Sequence, residues 1–266
     1  MITRRKVLFG GVGIAVAASL LKPSDAGGKY NDYFNTLNNT LRTNSVDSPV
    51  LVIDLERLDR NIDRVVNSVA KGINKTYRIV TKSIPSPELV NYVAERANTN
   101  ALMVFHRPFL QALTIINPQA DILMGKPMTV AGAATFYQQL KGEFSPQKQL
   151  QWLIDTPQRL QQYLDLAKKL DVVMRVNLEL DVGLHRGGFE AGEILSQALT
   201  MIKNNPDNLV FSGFMGYDAH LMGIPQFMVA REIPKVIERY QQCVQQLKSE
   251  FASLYHQDLC FNGAGS

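Results

Sequence analysis

The sequence predicts an α/β protein, a TIM-type (β/α)8 barrel truncated before its last strand. Three observations lead there. Short apolar runs alternate with segments of helical period, at a spacing of roughly 20 to 45 residues, which is how βαβ units around a parallel sheet read. Most of those runs are apolar on both faces, as strands covered by helices must be. No G-x-G-x-x-G follows any strand, so the open dinucleotide-binding sheet, which shares the alternation, lacks its fingerprint.

The elements follow in order. "VLVID" (50–54) is expected as a strand, followed by the helix "LERLDRNIDRVVNSVA", with Leu55, Leu58, Ile62, Val65, Val66 and Val69 on one face. Seven further strands are expected: 77–81, 101–105, 121–125, 150–155, 172–180, 209–217 and 258–263. The helix after the fifth of these eight runs opens with Thr156 as cap and Pro157 in its first turn. A long helix reaching Tyr255 is expected to break at Pro234. Counted from Tyr77 there are seven strands, one short of a closed barrel, and "FNGAGS" ends the chain directly after the last. A piece of a longer protein is therefore expected.

With 266 residues and 45% hydrophobic content, the chain can bury a substantial core. The net charge of +4 includes a basic leader, and no other Lys/Arg run offers a nucleic-acid footprint. Cys243 and Cys260 lack metal or redox spacing and read as two buried thiols. At the N-terminus, Arg4, Arg5 and Lys6 precede an apolar run from Val7 to Leu21, with small residues near Ala26. Residues 1–26 thus read as a twin-arginine-type signal peptide, 27–47 as a linker or lead-in, and 48–266 as the barrel domain. A periplasmic enzyme is expected, or one held at the inner membrane by an uncleaved signal.

Barrel enzymes place their chemistry at the carboxyl ends of the strands. Lys82 stands at the first such end, His106 and Arg107 at the second, and Asp155 at the fourth. Asn177, Glu179 and Asp181 end the fifth strand, and Tyr217, Asp218 and His220 the sixth. Gly263, Ala264, Gly265 and Ser266 follow the seventh. His106 reads as an ordinary loop residue, and Asp155 as a cap for the next helix. An amine ringed by apolar groups loses hydration of its charged form, its pKa falls, and it can form a Schiff base with an aldehyde. A glycine loop after the penultimate strand offers bare backbone N–H groups to a phosphate. Together, the lysine and the loop describe a site for pyridoxal 5'-phosphate.

These segments resemble the fold-type III pyridoxal-phosphate enzymes of the alanine racemase N-terminal superfamily, most closely the D-threonine aldolase/D-serine dehydratase group. The resemblance covers roughly Ser48 to Ser266. "SPVLVIDLERLDRNIDRV" is similar to that group's opening strand and helix. "RIVTKSIPSP" aligns with its R-P-H-x-K-T-H-K-S-P pattern, which implies that Lys82 is the cofactor lysine. "VNLELDVGLHRGGF" is similar to E-x-D-x-G-x-x-R-x-G-x through Glu179, Asp181, Gly183, Arg186 and Gly188. "GFMGYDAH" resembles G-x-x-x-Y-[DE]-G-H, and "NGAGS" resembles the phosphate loop G-G-T-G-T. Ile79-Val80, Ile84-Pro85 and Ala219 depart from the pattern, in places that bear on the substrate.

The resemblance implies a lyase or racemase acting on D-amino acids, with Lys82 as base on one face. His220 lies against the cofactor ring or opposite the lysine, Tyr217 steers a proton or anchors substrate, and Arg186 orients cofactor or substrate. An ion pair of Arg186 with Glu179 or Asp181 is the alternative. Gly263, Gly265 and Ser266 take the phosphate. Retro-aldol cleavage of D-3-hydroxy amino acids is the first expectation; dehydration of D-serine and racemisation follow. A non-catalytic carrier of the same cofactor keeps the lysine, but the export signal argues against it. An aldolase using the lysine alone leaves the G-A-G-S loop unexplained. No metal ligand is assigned; the group's divalent metal belongs to a C-terminal β-domain beyond Ser266. A homodimer of the complete protein is the implied assembly.

Overall fold

The computed structural model describes residues 27–84 and 86–264; the leader, Pro85, Gly265 and Ser266 lie outside the described residues. The chain divides into two compact units, Met1–Ile53 and Asp54–Ser266. In the first, helix α1 (Asp32–Thr43) buries none of its residues, and Asn31 caps it by accepting from the Phe34 N–H. The strand expected at 50–54 does not form: Val50, Leu51, Val52 and Ile53 are exposed and take no regular secondary structure. An apolar run becomes a strand only where a neighbouring backbone pairs with it, and among the described residues this run has no such neighbour. No helix among the described residues is long and apolar enough to cross a membrane.

The second unit begins with α2 (Leu55–Ala70), β1 (Ile79–Val80), α3 (Pro87–Arg96), β2 (Ala101–Val104) and α4 (Arg107–Ile116). It continues through β3 (Asp121–Met124), α5 (Val130–Gln139), α6 (Pro146–Gln149), β4 (Leu150–Ile154) and α7 (Pro157–Leu170). Then come β5 (Met174–Leu180), α8 (Glu193–Lys203), β6 (Leu209–Tyr217), α9 (Gln226–Glu250) and β7 (Cys260–Ala264). All neighbouring strands pair in parallel, in the order β1 to β7.

Helix starts follow from the sequence. Thr156 accepts from the Arg159 N–H and Pro157 occupies the first turn of α7, as expected. The cap is therefore Thr156 and not Asp155, whose carboxylate instead binds the Arg159 Nε at 2.7 Å. α2 has the expected bounds, yet only Ile62 of its apolar face is buried, while Leu55 and Val65 are exposed. α9 runs unbroken through Pro234, contrary to the expected interruption. Its buried residues, Cys243 and Leu247, lie in the second half, so the bond lost at Pro234 falls on an exposed stretch where water can replace it.

The sheet curls. Six strand steps of about 4.8 Å would put β1 and β7 roughly 29 Å apart in a flat sheet. Instead Arg78, just before β1, reaches Sγ of Cys260 in β7 at 3.7 Å. Arg78 also donates to the carbonyl of Asp121 at 2.8 Å and to its carboxylate at 2.5 Å, so one guanidinium links three strands across the interior. β1 and β7 remain unpaired with each other, which leaves an open seam. Outside the sheet, Trp152, Phe136 and Tyr163 pack with no solvent exposure between β4, α5 and α7.

Candidate active site

The carboxyl end of β1 is where the strand expected at 77–81 stops early. Thr81–Ser83 turn into a 3-10 helix, pinned by the buried Thr81 hydroxyl donating to the Met103 carbonyl at 3.0 Å. That turn swings Lys82 over the barrel mouth. Its Nζ lies 5.4 Å from the centre of the Phe105 ring and 5.8 Å from that of Tyr217. Lys82 is exposed, which corrects the expectation of an amine stripped of water: the turn carries it beyond the strand end, and two rings flank it without enclosing it.

Arg186 reaches the same ring from β5's far end, its guanidinium carbon 4.8 Å from the Tyr217 centroid. The alternative left open for it, an ion pair with Glu179, is the one that forms: Nε donates to Glu179 Oε1 at 3.1 Å, and Nη2 bonds the same oxygen. Burial raises the Glu179 carboxyl above its ordinary value, and the Arg186 hydrogen bond pulls back against it. Arg186 is presented by a clasped loop. Phe189 N–H donates to the Glu179 carbonyl at 2.7 Å, and Asp181 N–H to the Phe189 carbonyl at 3.0 Å. Asp181 also accepts from the Gly183 and His185 N–H groups. Burial alone would raise the Asp181 carboxyl; those amides and the His185 ring outweigh it and hold it below the ordinary range.

The other expected residues are placed as follows. Tyr217 ends β6 and pairs in register with Ala264, so the glycine loop begins beside it. Gly263 pairs with Gly216, and a side-chain carbon built at Gly263 would meet nothing within 4 Å. Gly265 and Ser266 lie outside the described residues. His220, in the 3-10 turn Ala219–Gly223, packs against Gly183, and its Nδ1 is buried without a partner, as is Asp218 Oδ1. His106, read as an ordinary loop residue, instead caps α4 by accepting from the Phe109 N–H at 3.2 Å. Asn177 lies below the mouth, donating to Gln151 at 3.1 Å. Cys243 is buried as expected, whereas Cys260 is only half-buried.

The structure thus brings Lys82, Tyr217 and Arg186 together and sets His220 against the Arg186 loop. Phe105 was not singled out from the sequence. Its signal was the alternation Ala101, Met103, Phe105, which points all three to one face. Among the described residues, Asp181, His185 and Glu190 bring metal-ligand types within 4.8 Å of one another. Asp181 Oδ2 already bonds the His185 Nδ1 at 2.8 Å. A surface cavity of about 870 Å³ lies at the opposite end of the strands, lined by Arg78, Asn100 and Asp121, away from this chemistry.

Residues 53–266 match the family model described as the alanine racemase N-terminal domain. No curated protein matches the chain. Among solved structures, a D-threonine aldolase from Filomicrobium marinum superposes with a TM-score of 0.65 at 15% identity, over 83% of this chain and 57% of that one. A D-threo-3-hydroxyaspartate dehydratase gives 0.65 at 16% identity, over 86% and 63%. An alanine racemase from Bacillus anthracis gives 0.59 at 16%, over 82% and 57%. At these identities the likeness is one of fold, and the chain spans less than two thirds of each of these structures.

Proposed function

Because the chain belongs to the alanine racemase N-terminal domain family, we propose that it binds pyridoxal 5'-phosphate through Lys82 and acts on D-amino acids. Retro-aldol cleavage of D-3-hydroxy amino acids is the preferred reaction. The observation that carries the proposal is the Lys82 amine standing over Tyr217, whose ring Arg186 also faces.

The residues present fit that cofactor. Lys82 has no ion pair among the described residues, so its nitrogen can be released to attack an aldehyde. Gly263, one residue before the partner of Tyr217, has no side chain to keep a phosphate from its backbone. The unpartnered His220 Nδ1 is a buried polar atom that a bound group or a water would satisfy. When bound, the cofactor supplies an electron sink for charge developing at the substrate Cα. The rest falls to the chain. Lys82 takes or returns a proton at Cα from its own face. Tyr217 holds a hydroxyl at the mouth, and Arg186, fixed by Glu179, directs its remaining N–H groups at a carboxylate or ring oxygen. The leader makes the periplasm the proposed compartment, which fractionation of cells expressing the protein would test.

Lys82→Ala should abolish the visible absorbance of chain reconstituted with pyridoxal phosphate, while Lys71→Ala and Lys75→Ala retain it. Undiminished absorbance in Lys82→Ala would refute the assignment. Turnover assays with D-threonine, D-serine and D-alanine then separate cleavage, elimination and racemisation; turnover of none of them argues for a carrier.

A further inference from the structure

Gly125 and Phe105 form a unit at the mouth that the motifs do not explain. Gly125 follows β3, and its N–H donates to the Val104 carbonyl at 2.8 Å, which sets it beside Phe105 at the end of β2. A side-chain carbon built on Gly125 would lie 2.4 Å from Cε1 and 2.5 Å from Cζ of the Phe105 ring, and 2.7 Å from Met103 Cγ. The ring therefore occupies the space that any other residue at 125 would fill. On it rests the Lys82 Nζ, 5.4 Å from the centroid, with Tyr217 as the second ring.

We propose that Phe105 is a positioning residue for the Lys82 amine, an aromatic platform for which Gly125 makes room. The inference rests on the proposed role of Lys82 and adds what holds that amine in place before an aldehyde arrives. A lysine side chain has four rotatable bonds, and at an exposed site its amine samples many positions. A ring face attracts the ammonium without accepting a hydrogen bond. A carboxylate in the same place would hold it harder and would favour its charged form. The platform thus aims the nitrogen without a hydrogen bond that must break before it reacts. Capture is then a condensation: the amine nitrogen bonds to the aldehyde carbon, and the carbonyl oxygen leaves as water.

The test needs no bound cofactor. Lysines of the purified chain are reductively methylated with 13C-formaldehyde, which keeps them cationic, and the Lys82 signal is identified by its loss in Lys82→Arg. The ring current should shift that signal upfield of the other lysines in the parent and in Phe105→Tyr. Phe105→Leu and Gly125→Ala should both return it toward the bulk position, the second with the aromatic residue still present. Capture of pyridoxal phosphate by the unmethylated chain should slow about two- to fivefold in those two variants, the scale of an exposed cation–π contact. A parent signal already at the bulk position, or one that Phe105→Leu leaves in place, overturns the inference. If the shift is present but the parent captures no pyridoxal phosphate, the proposed function fails while the platform contact stands. If capture occurs at a rate Phe105→Leu leaves unchanged, the platform role fails and the proposed function stands.

Discussion

Glu179 sits inside the barrel with only 4% of its side chain exposed, and its one strong partner is Arg186. Burial raises its carboxyl above the ordinary 4.5 more than Arg186 lowers it. Between 4.5 and that raised value, the folded chain keeps a proton that the unfolded chain has released. The contribution of Glu179 therefore makes stability fall as pH rises through that window. Glu179→Gln removes the titration and keeps an oxygen for the Arg186 Nε. Its Tm relative to the parent should rise as pH goes from about 4 toward neutrality. Scanning calorimetry across that range checks this; a flat or falling difference would contradict it. Some of the site was legible one residue at a time. Lys82 could be placed because a strand pattern, a lysine and a Ser-Ile-Pro-Ser-Pro turn fix where the strand must stop. Whether Arg186 would pair with Glu179 or Asp181 could not be read, because both acids have suitable spacing and only the loop's path decides. Phe105 escaped notice because a single Phe at a strand end reads as core; its meaning comes from Lys82, 23 residues earlier, arriving above it.

Among the elements, the loop from Asp181 to Phe189 asks most of its backbone. Gly183, His185, Gly187 and Gly188 all adopt positive φ, which L side chains resist. Gly188 is hemmed in by backbone: at φ +108°, a side-chain carbon would lie 2.7 Å from the Glu179 carbonyl oxygen and 2.9 Å from the Asp181 nitrogen, the two groups that bond to Phe189. Gly188→Ala should cost about 1–3 kcal/mol in urea denaturation and displace Arg186 from Tyr217. A variant within a few tenths of a kcal/mol of the parent would show that the clasp is dispensable. In the core, Tyr163 donates to the Met128 carbonyl at 3.1 Å, and burial pushes its hydroxyl well above the usual tyrosine range. Because Arg159 also donates to that carbonyl, Tyr163→Phe leaves no orphaned acceptor. It should cost no more than about 1 kcal/mol, read from the fluorescence of Trp152, the only tryptophan. The start of α7 was legible because a capping side chain and a proline mark it at Thr156 and Pro157, whereas the same pairing at His106 and Pro108 went unread. "VLVID" misled because strand character in a two-sided apolar run depends on a partner that local pattern does not contain.

For the whole molecule, seven strands and their order followed from alternation and from runs apolar on both faces. The curl did not. No stretch of sequence encodes that Arg78 should meet Cys260, or Lys82 meet Tyr217, five strands away. Those contacts arise from accumulated strand twist and from inward side chains that fit one another across the interior. Curl turns separate strand ends into a single mouth, so Lys82, Tyr217 and Arg186 become neighbours through the global fold alone. The proposed chemistry depends on that convergence. Its most direct test is to incubate the chain with pyridoxal phosphate at equimolar ratio, reduce with borohydride, digest, and locate the added mass. The account predicts a single dominant modified peptide carrying the group on Lys82. Modification spread evenly over the other lysines, with Lys82 no more labelled than Lys71 or Lys75, would contradict it.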